Sequence, residues 1–226
     1  MNPSLLQKQN ERVSARELVN KQECEAYMEK VKEKIEAPSL LVTASQFSKR
    51  YARFVTDAAF TAMTVDNKGL DVSLDNSILQ TDWTAEKWTP SFQFLEDAAN
   101  EADRDAIIRQ VFAGHLTPLW HTLALATDVA VPLLWENTAV RIFSLYEKKL
   151  SKNASAKEQQ QIEDDLHYLV YEAPGELFGE RINPLRPFYT PKTENAAGKS
   201  IRVRQTCCFV YETGGGRSCC SVCPKA

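Results

Sequence analysis

Glycine is scarce in this 226-residue chain, at 8 residues, and methionine and histidine number only 3 each. So little glycine excludes collagen-like and low-complexity classes, and a hydrophobic content of 43% is that of an ordinary globular protein. A basic excess is also missing. The 27 Lys and Arg face 30 Asp and Glu, for a net charge of -3 and a pI near 5.7, which argues against a general polyanion-binding surface and so against nucleic acid as a partner. Long apolar runs are absent. The nearest, residues 116–135, carries no Lys or Arg but is interrupted by Pro118, His121, Asp128 and Pro132. A membrane span needs about 20 predominantly apolar residues, so buried helix and no transmembrane segment are expected. Residues 1–14 lack the apolar stretch and small-residue cleavage site of a secretory signal. A cytoplasmic location is expected, with at most transient contact at the inner face of the membrane. Finally, no strand leads into a Gly-x-Gly-x-x-Gly turn, so electrons for any redox step come from an external donor.

What is present reads first as helix. A chain of this length suits one large domain, or one domain with a small appendage. Residues 14–35 are rich in Glu, Lys, Ala and Leu, with Leu18, Cys24, Met28, Val31 and Ile35 on a broken stripe, and Pro38 closes this expected helix. Residues 43–63 set Phe47, Tyr51, Phe54, Val55, Ala58 and Ala59 at helical spacing, predicting a second helix with an aromatic inner face. Turn chemistry at 66–69, alternation at Leu70, Val72 and Leu74, and a second turn before 77–79 predict a short β-hairpin. Further helices are expected over 96–108, 111–119 with a possible break at Gly114, 121–150 interrupted by Pro132, and 162–171, with a polar linker at 151–161. Pro174, Pro184, Pro187 and Pro191 then break the chain, and Ile201 and Val203 give a short strand-like lead into the tail. The expected class is α+β, mainly α-helical: a helical body at 1–198 with a small β-hairpin component, followed by a compact lobe at 199–226.

Cysteine usage singles out that lobe. Five of the six cysteines, Cys207, Cys208, Cys219, Cys220 and Cys223, fall in the last 20 residues, and Cys24 on the first helix is expected to be a buried free thiol. In a reducing compartment such clustering points to metal binding or redox chemistry. Structural zinc prefers two Cys-x2–4-Cys knuckles, for which adjacent cysteines are an awkward substitute. A two-iron cluster needs two thiolates on each iron and accepts an adjacent pair plus Cys-x-x-Cys. Two rival readings remain: a non-redox binding protein whose tail holds structural zinc through four cysteines, and a thiol sensor cycling through disulfides.

The tail resembles that of the FhuF-type ferric-siderophore reductases, whose signature is an adjacent cysteine pair, ten residues, then Cys-x-x-Cys. This chain reads Cys207-Cys208, eleven residues, then Cys220-Ser221-Val222-Cys223. Cys219 stands where strict counting puts the third cysteine, whereas Cys220 keeps the two-residue spacing to Cys223. Less specific likenesses lie upstream, at residues 115–120 and 134–137. The resemblance implies a helical body beside a C-terminal lobe in which Cys207, Cys208, Cys220 and Cys223, with Cys219 as the alternative third ligand, hold a [2Fe–2S] cluster. It implies one-electron reduction of a ferric siderophore, of hydroxamate or mixed citrate-hydroxamate type, by an external electron donor protein or reductant, with no catalytic residue beyond the cluster. Arg202, Arg204 and Arg217 flank the cysteines and are candidates for pairing with an anionic ferric chelate. His115, His121 and His167 are expected to be structural. The four tryptophans and Tyr168, Tyr171 and Tyr189 are expected to pack rather than bind.

Overall fold

The computed structural model describes residues 10–96, 99–100, 103–195, 198–214 and 218–225. The class is α+β and mainly helical. Helix α1 (Lys21–Lys34) begins where the Asn20 side chain accepts the N–H groups of Gln22 and Glu23, and ends with Lys32 and Lys34 beside its last carbonyls. It starts later than the expected residue 14, because Asn10–Ser14 is strand β1 and Glu17–Val19 is one 3-10 turn. Helix α2 (Leu40–Asp66) is the spine: 27 residues, capped by Ser39 and closed by left-handed Asn67, and roughly 40 Å long at the usual rise.

Among the described residues, the α-helices that follow are α3 (Arg104–Val111), α4 (Thr117–Thr127), α5 (Val131–Ser144) and α6 (Ala156–His167). Pro132 lies in the first turn of α5, where its missing N–H breaks no helical bond. Gly114 falls within the π-helical turn Phe112–Leu116, so the expected break is a widened turn through which helix continues. The helix expected at 96–108 begins only at Arg104, where Asp103 caps it. Part of the expected linker at 151–161 is helix instead, because Ser155 and Glu158 form a reciprocal capping box.

The β component also differs from expectation. Strand β2 (Gly69–Leu70) pairs with β5 (Ala99–Asn100), while β3 (Ser77–Asp82) lies between β1 and β4 (Ser91–Phe94), antiparallel to both. Asn76 holds this arrangement: its amide donates to the carbonyls of Asp71 at 2.7 Å and Glu96 at 3.0 Å. The 70–79 segment therefore turns without closing a hairpin. A small third ladder, β6 (Thr193–Glu194) with β7 (Ser200–Ile201), leads into the cysteine tail.

Helix α2 packs along α5, and the core gathers around them: Phe47, Tyr51, Val55, Phe60, Trp120 and Leu134 are fully buried. Trp88 belongs to this core, stacked on Phe47 at 6.0 Å with the Arg50 guanidinium over its face. Burying each of these large side chains stabilises the fold by about 1.5–3 kcal/mol. Among the described residues, no helix is long and apolar enough to cross a membrane.

Candidate metal centre

Polar side chains interrupt the buried face of α2. Thr43, Ser45, Gln46 and Ser48 are all buried, and buried polar groups need partners. The tail supplies two of them, since the Ser45 hydroxyl donates to the Cys208 carbonyl at 2.9 Å and the Gln46 amide donates to the same oxygen. From α5, the Asn137 amide donates to the Ser45 carbonyl at 3.0 Å and to the Ser48 hydroxyl at 2.9 Å. Polar residues on both long helices thus form a seat for the chain just past Cys207.

Glu136 fixes the approach to that seat. Its carboxylate accepts the N–H groups of Gln205 at 2.6 Å and Thr206 at 2.8 Å, and also the Thr206 hydroxyl. Arg204, 4% exposed, donates to Asn137 at 2.7 Å and pairs with Glu136 at 3.4 Å. Its backbone N–H donates to the Val222 carbonyl at 3.0 Å, tying the two cysteine segments together. On the far side, the Gly214 N–H donates to the Ile35 carbonyl. A Cβ at Gly214 would come within 2.6 Å of the Glu36 Cβ, so glycine lets the chain pass there.

These anchors bring four cysteines into two pairs, each spanning both segments. Cys208 and Cys220 have sulfurs 3.9 Å apart, and Cys207 faces Cys223. Each sulfur accepts a backbone N–H from the residue two positions on. Phe209 donates to Cys207 and Lys225 to Cys223, both at 3.4 Å, while Val210 serves Cys208 and Val222 serves Cys220. Left-handed Phe209, at φ 56°, turns the first segment so that the diverging side chains of adjacent cysteines reach different partners. Cys219 is exposed at the rim, in contact with Cys223.

The electrostatics favour thiolate at Cys208. The Lys49 ammonium, half-buried, donates to the Cys208 sulfur at 3.3 Å. The Cys220 thiol hydrogen bond, with Lys49 and Arg204 adding charge, pulls Cys208 down to about 4. Cys220 is pushed up, because its S–H is held in a hydrogen bond to that anion and it is itself desolvated. Burial raises Cys207. At Cys223 burial opposes ionisation but is outweighed by the Lys225 N–H and the neighbouring thiols, leaving it below the usual range. Lys49 itself is lowered by burial despite Cys208. Among the described residues, no three His, Cys, Asp or Glu side chains converge on one point as they would around a single ion.

The flanking arginines divide. Arg204 is consumed in the anchor above. Arg202 lines an open cleft, donating to Glu147 at 2.9 Å and to the Thr190 carbonyl at 2.7 Å, with its guanidinium over the Tyr189 ring. Arg217 lies outside the described residues. His115 is buried between the Tyr51 hydroxyl and the Val72 carbonyl, while His121 and His167 pair with Glu180 and Glu172. Cys24 is a buried free thiol, which burial pushes up to about 12.

Sequence reasoning passed over Lys49, Glu136, Asn137 and the α2 seat. Their signal was available as polar residues on the apolar faces of the two most buried helices.

No curated protein matches the chain. Residues 45–194 match the family model described as "Ferric iron reductase FhuF-like transporter". That match starts at Ser45, in the seat, takes in Lys49, Glu136 and Asn137, and stops short of the cysteines. It covers about two thirds of the sequence, and on that ground the chain belongs to the family of FhuF-like ferric iron reductases.

Proposed function

We propose that Cys207, Cys208, Cys220 and Cys223 hold a [2Fe–2S] centre on a C-terminal lobe, residues 199–226, and that the protein uses it to reduce a ferric siderophore. The observation that carries this reading is the arrangement of the sulfurs. Four cysteines are paired across two segments, every sulfur receives a backbone N–H, and a half-buried lysine faces one pair. Two thiolates on each of two irons is the demand of such a centre. Its net charge, about -2 oxidised and about -3 reduced, would answer the positive charge of Lys49, which has a thiol for its partner rather than a carboxylate. A single tetrahedral zinc wants four sulfurs about 2.3 Å from one point, and sulfurs sorted into pairs suit it less well.

When bound, a centre of this kind supplies electrons singly, which matches the step from Fe(III) to Fe(II). The chain's own residues hold it, donate hydrogen bonds to its sulfurs and offset its charge. Siderophores surround iron with hard oxygen donors, and those ligands bind the softer, less charged Fe(II) more weakly, so gaining one electron releases the metal. That electron is replaced by an external one-electron donor, a reduced flavin or iron–sulfur protein.

Anaerobic purification, iron and acid-labile sulfide analysis, and visible and EPR spectra before and after dithionite test the proposal. It expects about two irons and two sulfides per chain, with an EPR signal only after reduction. A colourless chain with one zinc would replace it with the structural-zinc reading. Thiol titres that change with oxidant, without iron or sulfide, would replace it with the sensor.

A further inference from the structure

A cleft of about 280 Å³ opens between α5, the π-helical turn Leu145–Leu150 that follows it, and the cysteine tail, with Cys220 in its wall. Six cations line it: Lys49, Arg141, Lys148, Lys192, Arg202 and Arg204. Among the described residues, the only carboxylates in that lining are Glu136 and Glu147. Glu136 is occupied by Arg204 and the tail backbone, and Glu147 is shared by Lys192 at 2.8 Å and Arg202 at 2.9 Å. Three cations are left over. Lys49 turns to Cys208, and Arg141 donates to the Lys49 carbonyl at 3.1 Å. Among the described residues, Lys148 forms no ion pair. The whole chain carries a net charge of -3, so this concentration of positive charge runs against its composition.

We infer that the cleft binds a carboxylate-bearing arm of an anionic ferric chelate, seating its iron beside Cys220, and that the protein therefore prefers anionic chelates to neutral or cationic trihydroxamates. The naming of a ferric chelate rests on the reductase reading; the preference for an anion rests on the charge of the cleft. Small-molecule sites usually run from about 300 to 1,000 Å³, so a cleft of this size takes one arm and leaves the bulk of a chelate outside. Arg202 is already bidentate to Glu147 and bonded to the Thr190 carbonyl, so it fixes that wall of the cleft, and the charge left for a carboxylate is that of Arg141 and exposed Lys148. Val140, Phe143 and Phe188 supply apolar wall for the organic backbone of the arm.

Gallium(III) chelates test this without electron transfer, because gallium(III) copies the size and charge of iron(III) and is not reduced. Titration of the protein as purified with the gallium complexes of a citrate-hydroxamate and of a neutral trihydroxamate should show at least tenfold tighter binding of the anionic complex. The difference should shrink as salt is raised. Two substitutions at exposed positions in the cleft, Lys148→Glu and Ser144→Glu, should each weaken the anionic complex several-fold and leave the neutral one unchanged. Equal affinity for both complexes, or a preference that both variants leave intact, would overturn the inference. So would binding of neither complex alongside a variant-sensitive complex with an acidic ferredoxin, which would make the cleft the donor's docking surface. A colourless protein that still prefers the anionic gallium complex would remove the reductase reading and leave the anion site standing.

Discussion

Lys49 on α2 and Cys208 in the tail bring an ammonium nitrogen and a sulfur 3.3 Å apart. A fixed positive charge at that distance stabilises the more negative, reduced state of a neighbouring redox centre. Lys49→Met should lower the midpoint potential in a dye-mediated titration, by on the order of 60 mV, which for one electron is about 1.4 kcal/mol. Lys49→Arg, which keeps the charge, should restore most of it, whereas a purely packing role for Lys49 would leave the potential where it was. The choice between Cys219 and Cys220 as the third ligand of the proposed centre is tested at the same scale. Cys220 lies 3.9 Å from Cys208 and accepts the Val222 N–H, whereas Cys219 is at the exposed rim. Cys219→Ser should keep full iron and sulfide content, and Cys220→Ser should lose most of both. Retention of cluster in the second variant with loss in the first would reverse the assignment of the third ligand.

At the scale of elements, the tail is held by pairs formed across long sequence distances, and Glu136 is the busiest of them. Its carboxylate accepts two backbone N–H groups and a hydroxyl from residues 205–206 and faces the Arg204 guanidinium at 3.4 Å, with both side chains almost wholly buried. Removing one member of a buried ion pair strands the other, at a cost of about 3–5 kcal/mol. Glu136→Gln retains acceptor capacity but loses the charge. It should therefore release the tail to limited proteolysis near residue 204 while the helical body keeps its far-ultraviolet circular dichroism. An intact tail in that variant would mean that Asn137 and the α2 seat suffice. The same contacts explain what was legible beforehand. The stripe of Phe47, Tyr51 and Val55 foretold α2 because helical periodicity is local, and the cysteine spacing drew attention to the tail for the same reason. The β3 partners were not legible, since pairing Asn10–Ser14 with Ser77–Asp82 joins segments that no local pattern relates. Nor could spacing show that Arg204 turns inward to Glu136 while Arg202 faces the cleft: the two alternate along the chain, and which side is buried depends on α5. The capping box at Ser155 and Glu158 was readable in principle, as a Ser-x-x-Glu within a stretch whose polarity suggested a linker.

Across the whole molecule, one contribution to the pH response of stability comes from a histidine remote in sequence from the cysteines. His115 is buried in the core, with Nδ1 2.5 Å from the Val72 carbonyl and Nε2 2.7 Å from the Tyr51 hydroxyl. The neutral ring satisfies both: Nδ1–H donates to the carbonyl, and Nε2 accepts from the tyrosine, whose own ionisation is opposed by complete burial. Burial lowers His115 to about 4 against the hydrogen bond to Val72, and the distant Arg16 charge adds slightly in the same direction. An unfolded chain would take up a proton on this ring near the ordinary histidine value of about 6.5. Between those two values the unfolded state binds the extra proton, so acidification favours unfolding. The contribution of His115 to stability is therefore complete above about pH 6.5, falls as pH drops through that window, and is gone below about pH 4. Moving from pH 7 to pH 5 should cost about 2 kcal/mol from this residue, read as a lower urea midpoint by tryptophan fluorescence. The comparison stays above most carboxylate titration, which keeps the assignment clean. His115→Gln gives up a buried ring and is less stable at both pH values, but it has no proton to gain, so its midpoint should change much less between them. If the variant and the parent lose the same amount on acidification, the pH dependence comes from another group, and the buried imidazole is only a packing residue.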